Sequence, residues 1–380
     1  MNEAVLDVDR LLTEAQRQTE LSDFGPSEFL EGLRKIVETY NGNGFDDRSL
    51  SRVDKRLKKI LTTRLRIEDA LRRWPDIKRT TVTRPLYITG LPRTGTTAML
   101  NLLASDAATR PLQLWEALNP YPLPEAVRLE EDPRYMATKK FCDGVKASGD
   151  GFQRIHHFTP ETPEECVHLL NHTFQDVQYG VEPLLEPYKS WFIGRDLRSS
   201  YYYYRDILKM LQWQRPGKRW LLKSPCHLWA LDILAEIFPD CQIVVMHRNP
   251  VDSVISYASM MASLMDGCRD ISRAKLGEEV LEYLARKVER SMALREHITS
   301  RQIHDVYYAD LLSDPLGVVE RLYDYFGLPL SQETSGRMAA SLQRNPQNVH
   351  GAHTYAAEDF GLTEARILDR FGPYVEHYRL

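Results

Sequence analysis

The feature that most constrains this chain is Thr89-Gly90-Leu91-Pro92-Arg93-Thr94-Gly95-Thr96-Thr97, set between two apolar runs of different grammar. Pro85-Leu86-Tyr87-Ile88-Thr89 reads as a short strand entered from a proline, and Ala98 to Ala104 has helical spacing. A tight turn between them aims backbone N–H groups and the positive end of a helix dipole at one point, where Thr96 and Thr97 add hydroxyl donors. Such a cup takes a phosphate-like anion. The spacing nearly matches a Walker A loop, but Thr96 stands where that loop's lysine belongs, and the nearby cation is Arg93, three residues early. An ordinary P-loop kinase or ATPase is therefore disfavoured. A turn without a ligand is disfavoured by the strand and helix on either side of it.

The same rhythm returns downstream. Trp220-Leu221-Leu222 reads as a strand, Leu228 to Phe238 as a helix and Gln242 to Met246 as a strand; Asn249 then caps a helix that Pro250 opens and that runs to about Met265. A third unit pairs a strand at Ile303 to Tyr307 with a helix from about Pro315 to Phe326. Apolar strands alternating with helices predict a P-loop-like, three-layer α/β fold, a central parallel sheet covered on both faces with its ligands at the carboxyl ends of the strands. Before it, residues 1–80 read as a helical extension of two or three helices, in which the Lys and Arg of Ser49 to Trp74 form a solvated face. Residues 81–380 form the main domain. Within it, 107–218 shows no strand-helix rhythm and is expected to be a helical and loop insertion that forms the acceptor pocket. The run Tyr201-Tyr202-Tyr203-Tyr204 spreads round a helix and is explained by packing with some exposed hydroxyls.

Composition removes several function classes. With 43% hydrophobic residues among 380, the chain can bury a sizeable core. The formal charge of −4, from 49 basic and 53 acidic residues, provides no field of the kind a nucleic-acid binder uses. Cys142, Cys166, Cys226, Cys241 and Cys268 are odd in number and scattered, which predicts reduced thiols rather than disulfides or zinc. An acidic amino terminus and the lack of any apolar run near the ~20 residues of a spanning helix predict a cytoplasmic protein without a transmembrane segment. The sequence leaves a homo-oligomer open.

A second anion handle lies in Met246-His247-Arg248-Asn249-Pro250-Val251-Asp252-Ser253-Val254-Ile255-Ser256. Arg248 leaves the end of a strand, and Ser256 follows a little over two helical turns later, so both can face one crevice. Taken singly, Arg248 reads as readily as a salt bridge to Asp252, and Ser256 as a mid-helix hydroxyl. Together with the loop at Gly90 they imply a nucleotide with two separated anionic groups.

At these residues the chain resembles the sulfotransferase family, especially its bacterial members and the tyrosylprotein enzymes, whose loop reads Pro-Arg-Ser/Thr-Gly-Thr-Thr as residues 92 to 97 do. The resemblance implies 3′-phosphoadenosine 5′-phosphosulfate (PAPS) as donor, with Arg93, Thr94, Gly95, Thr96 and Thr97 on its 5′-phosphosulfate and Arg248 and Ser256 on its 3′-phosphate. It further implies that Tyr308, in Tyr308-Ala309-Asp310-Leu311-Leu312, lies against the adenine, and that Lys223 and Ser224, in Leu222-Lys223-Ser224-Pro225, meet the transferring group. Pro225 stands where cytosolic relatives carry a catalytic histidine, and the nearest imidazole is His227. In relatives with Arg in the loop the base is a glutamate beyond its helix, where this chain has Glu116 in Leu114-Trp115-Glu116. An attacking hydroxyl must lose its proton to such a group, and Glu116 is preferred to His227. Two alternatives remain beside sulfuryl transfer, a P-loop kinase and a non-catalytic nucleotide-binding module.

Two further features are weaker. His156-His157-Phe158 with Glu164 and Glu165 lacks metal-ligand spacing and reads as a wall of the acceptor pocket. The tail from Val349 to Leu362 resembles the loop that closes over the 3′-phosphate, with His353 as a contact, although it has no Lys or Arg between Asn345 and Arg366. The acceptor itself, a lipid, sterol-like alcohol, phenol or carbohydrate hydroxyl, has no motif. Because the Walker lysine is missing and no second Mg²⁺ ligand is evident, transfer should need no metal. Chelating divalent ions should leave turnover of labelled PAPS largely intact; loss with EDTA and recovery with Mg²⁺ would point to the kinase.

Overall fold

Five strands carry alternating apolar residues with helices between them, and in the computed structural model they form one parallel sheet. The structure describes residues 5–123, 127–148, 159–175, 180–266, 271–344 and 356–380. The strands β1 (Leu86–Gly90), β2 (Thr109–Pro111), β3 (Arg219–Lys223), β4 (Gln242–His247) and β5 (Ile303–Tyr307) lie in the order β2-β3-β1-β4-β5. β1 occupies the centre, in register with β3 (Leu86 beside Leu221) and β4 (Gly90 beside Met246). All five of its residues are buried. The pleat sends successive side chains to opposite faces, so Leu86, Ile88, Leu221, Val244, Met246 and Val306 join one core and Tyr87, Trp220, Leu222, Ile243 and Val245 another. The first is closed by α4 (Thr96–Leu103) and the helices Tyr308–Ser313, Pro315–Phe326 and Gln332–Arg344, the second by helices of the other face such as Arg198–Gln214 and Pro250–Met265. Three layers result, the expected P-loop-like fold.

Element ends follow local chemistry. Asn249 caps the helix Pro250–Met265 by accepting the Val251 N–H at 2.9 Å, and Asp314 caps Pro315–Phe326 through the Gly317 N–H. One strand escapes the sequence pattern: β2 is three residues long, ends in a proline and sits at the sheet edge beside β3, inside the stretch read as having no strands. In the helix Arg198–Gln214, Tyr201, Tyr203 and Tyr204 are buried and Tyr202 is exposed.

Three helices precede the sheet, α1 (Val8–Thr19), α2 (Phe29–Gly42) and α3 (Asp47–Arg73), and their apolar faces join the core that covers one side of it. The basic residues of α3 depart from a purely solvated face. Lys58 pairs with Glu14 and Asp54, Arg56 with the buried Glu182, and Arg64 is only 2% exposed. Arg64 donates to three carbonyls, Phe24 at 2.7 Å, His172 at 2.8 Å and Pro26 at 3.0 Å, between the rings of Phe29 and Tyr203. One guanidinium thus satisfies buried loop carbonyls from both ends of the chain's helical half. Arg64→Met fills the space but removes every donor, and should lower stability by about 3 kcal/mol. Denaturant unfolding checks this; a loss below about 1 kcal/mol would mean that water replaces the guanidinium.

Candidate active site

The carboxyl ends of β1, β3, β4 and β5 converge on one crevice. β1 ends at Gly90, and the chain turns through Arg93 and Gly95, both left-handed with φ of 68° and 86°, before α4 begins at Thr96. Both glycines are required. A Cβ on Gly90 would lie 2.6 Å from the Met246 carbonyl oxygen, and one on Gly95 would lie 2.6 Å from the Tyr308 ring. The buried Thr94 hydroxyl donates to the Leu91 carbonyl at 2.7 Å and closes the turn, leaving the exposed Thr97 at the first turn of α4. This cradle, open to backbone approach and capped by a helix amino terminus, suits a tetrahedral anion.

The second handle lies directly across it. Arg248 donates to the Arg93 carbonyl at 2.9 Å and to Asp252 at 3.0 Å, with its guanidinium 4.6 Å from the centre of the Tyr308 ring. Arg93 in turn donates to the Ser256 hydroxyl at 3.1 Å. The salt bridge to Asp252 that the sequence allows does form, yet it leaves Arg248 and Ser256 facing the loop. Arg93, Thr94, Gly95, Thr96, Thr97, Arg248, Ser256 and Tyr308 are thus brought together.

Lys223, 3% exposed at the end of β3, approaches the loop from the other side, with Nζ 3.4 Å from the Thr97 hydroxyl. Its partner is Glu165. The segment bearing Glu165 crosses the strand ends: the Glu164 N–H donates to the Leu112 carbonyl at 2.7 Å and the Cys166 N–H to the Lys223 carbonyl at 2.9 Å. One Glu165 oxygen meets Lys223, and the other is buried with no hydrogen-bond partner among the described residues. An unsatisfied carboxylate oxygen beside a lysine and an anion cradle is costly unless a ligand completes it. Ser224 is fully buried and caps the turn at Pro225–Trp229 by accepting the Cys226 N–H.

Both residues expected to act as the base are buried and have protein partners. His227 is wholly buried, 3.0 Å from the Tyr201 hydroxyl and packed against the rings of Tyr87 and Tyr204, and burial pushes its pKa down to about 3. It is a neutral core imidazole. Glu116 is 1% exposed and closes a capping box on Gln113 while pairing with Arg110 at 2.6 Å and Arg215 at 3.7 Å. Arg110 lies beside Trp220 in the sheet, with its guanidinium 4.0 Å from the indole ring. Glu116 is thus held by two guanidinium groups and a capping bond in the short helix after β2.

The sequence places Glu165 in a wall of the acceptor pocket but does not pair it with Lys223, more than fifty residues away. Its signal was a Pro-Glu-Glu stretch next to a helix start, which means little until the strand order is known. His156, His157 and His353 lie outside the described residues. Among the described residues no group of His, Cys, Asp and Glu side chains forms a metal site, and no helix is long and apolar enough to cross a membrane.

Comparison with known proteins agrees with this geometry. A model described as "Sulfotransferase family" matches residues 85–332. The crystal structure of sulfotransferase STF1 from Mycobacterium tuberculosis superposes with a TM-score of 0.87 at 31% identity, covering 98% of this chain and 100% of that one. Sulfotransferase STF9 from Mycobacterium avium gives a TM-score of 0.87 at 26% identity, covering 99% and 97%. The omega-hydroxy-beta-dihydromenaquinone-9 sulfotransferase Stf3 of Mycobacterium bovis is 22% identical over 307 residues, 77% of this chain and 74% of the relative. With the family model spanning the loop, the strand-end lysine and Arg248, the kinase alternative falls away, and the chain belongs to the sulfotransferase family.

Proposed function

We propose that this enzyme transfers a sulfuryl group from PAPS to a hydroxyl of an apolar small molecule or lipid, with Glu165 as the general base. The observation that carries the base assignment is the Glu165 carboxylate, paired through one oxygen with Lys223, which approaches Thr97 of the anion loop, and without a hydrogen-bond partner at the other oxygen among the described residues. The donor assignment draws on the left-handed cradle at Gly95 and on the two handles, Arg93 and Arg248, that meet across it. The loop N–H groups with Arg93, Thr94, Gly95, Thr96 and Thr97 would hold the 5′-phosphosulfate, Arg248 and Ser256 the 3′-phosphate, and Tyr308 the adenine.

PAPS supplies an activated sulfuryl group on a good leaving phosphate. The protein's part is electrostatic and positional, as in phosphoryl transfer. Lys223 would neutralise charge growing on the oxygen that bridges phosphorus and sulfur as that S–O bond breaks. Arg93 and the amino terminus of α4 would stabilise the peripheral oxygens. As the acceptor oxygen bonds to sulfur, its proton passes to Glu165. Pairing with Lys223 orients the carboxylate while leaving its second oxygen for the hydroxyl. The acceptor pocket is assigned to 107–218, the segment that carries Glu165 across the strand ends. An apolar acceptor is suggested by the relative Stf3, whose name specifies a hydroxylated menaquinone.

Two carboxylates allow a direct comparison. Glu165→Gln should cut the rate of transfer by roughly a hundred- to ten-thousand-fold, while affinity for 3′-phosphoadenosine 5′-phosphate stays near wild type. Glu116→Gln should retain the rate within about tenfold and lose stability, because Arg110 is left without its buried partner. Steady-state kinetics beside calorimetry distinguish the two; an inactive Glu116→Gln with an active Glu165→Gln would return the base to Glu116.

A further inference from the structure

The strand end that carries Arg248 is fastened from the far end of the chain. His247 and Arg248 are consecutive where β4 ends, and His247 is 2% exposed. Its Nε2 lies 2.8 Å from Asp305, and its Nδ1 lies 3.0 Å from the Tyr374 hydroxyl. Asp305 also accepts from both terminal nitrogens of Arg295, at 2.7 and 2.6 Å, and as a carboxylate it can only accept. Nε2 of His247 is therefore the donor. Burial disfavours a second proton on the ring, so Nδ1 accepts and Tyr374 donates to it. The Tyr378 ring stacks on the imidazole at 3.9 Å. Both tyrosines belong to the helix Gly372–Tyr378 and are nearly buried.

This chain of bonds runs from Arg295 through Asp305 and His247 to Tyr374, and it fixes the backbone from which Arg248 starts. The Arg248 side chain has weaker restraint, since its partners are an exposed carboxylate and a loop carbonyl. Where a guanidinium begins decides where its fork lands, and small displacements of a charged contact are expensive. We infer that Tyr374 is a positioning residue for the donor's 3′-phosphate, acting through His247 on Arg248, so that the carboxyl-terminal helix is part of the nucleotide site. The inference rests on the donor assignment proposed above.

Calorimetry with two nucleotides keeps that assignment and this inference apart. Wild type should bind 3′-phosphoadenosine 5′-phosphate at least about thirtyfold more tightly than adenosine 5′-phosphate. Tyr374→Phe, which removes one hydroxyl, should weaken the bisphosphate about five- to tenfold and leave adenosine 5′-phosphate within about twofold. In an Arg248→Ala background the same change should have no further effect, because Arg248 is the element through which it acts. His247→Phe keeps a ring between Tyr374 and Tyr378 but offers no acceptor, and gives a second route to the same split if Tyr374→Phe folds poorly. Equal affinities in wild type overturn the donor assignment and this inference with it. A wild-type preference that both variants keep, or an equal loss for both nucleotides, overturns the inference alone.

Discussion

The turn at Gly95 is the constraint on which the rest of the site depends. Its left-handed backbone sends the chain from β1 straight into α4 and brings the Tyr308 ring so close that no side chain fits between them. Tyr308 follows β5 directly, so one close contact ties the centre of the sheet to its edge. It also sets the floor on which the Arg248 guanidinium rests. A parallel sheet buried on both faces leaves its carboxyl edge as the place where backbone polar groups are free to meet a ligand. The glycine turn converts that edge into an anion cradle.

Around the cradle the charges hold one another. Arg93 bonds Ser256, Arg248 bonds the Arg93 carbonyl, and Lys223 bonds Glu165 and approaches Thr97. Cations that each need an anion are thereby kept near their working positions by weak or exposed partners that a doubly charged ligand can replace. Deeper polar groups serve the scaffold instead. Arg64 gathers three carbonyls, Glu116 holds Arg110 over Trp220, and His227 fills an aromatic cluster as a neutral ring. Arg64, Glu116 and His227 lie deep in the protein, whereas Arg93 and Thr97 of the cradle are exposed and Lys223 is buried beside them.

Much of this was legible in the sequence, because short-range signals carry it. The proline before β1, the Gly-Thr-Thr that opens α4, the Asn-Pro cap at residue 249 and the apolar runs fix elements locally, and these elements bring Arg93, Thr97, Arg248 and Tyr308 to one sheet edge. What escaped depends on distance. β2 is too short for periodicity to register, and it is strand only because β3 offers it an edge. Glu165 meets Lys223 because its segment bonds across two strand ends, a relation set by strand order. His227 stands two residues from a strand-end lysine, close enough in sequence to suggest chemistry, yet the turn at Pro225–Trp229 rotates it into the core. Proximity along the chain misled where the direction of the side chain decided the matter.

Transfer of the label from [³⁵S]PAPS is the most direct measure of the central claim. The protein should be incubated with a hydroxylated apolar acceptor, such as a long-chain quinol bearing a terminal alcohol. The account predicts a labelled sulfate ester formed in equal amount with 3′-phosphoadenosine 5′-phosphate, lost in Glu165→Gln and retained in Glu116→Gln. Release of the bisphosphate and free sulfate without any ester, across lipid, phenol and sterol alcohols alike, would contradict it.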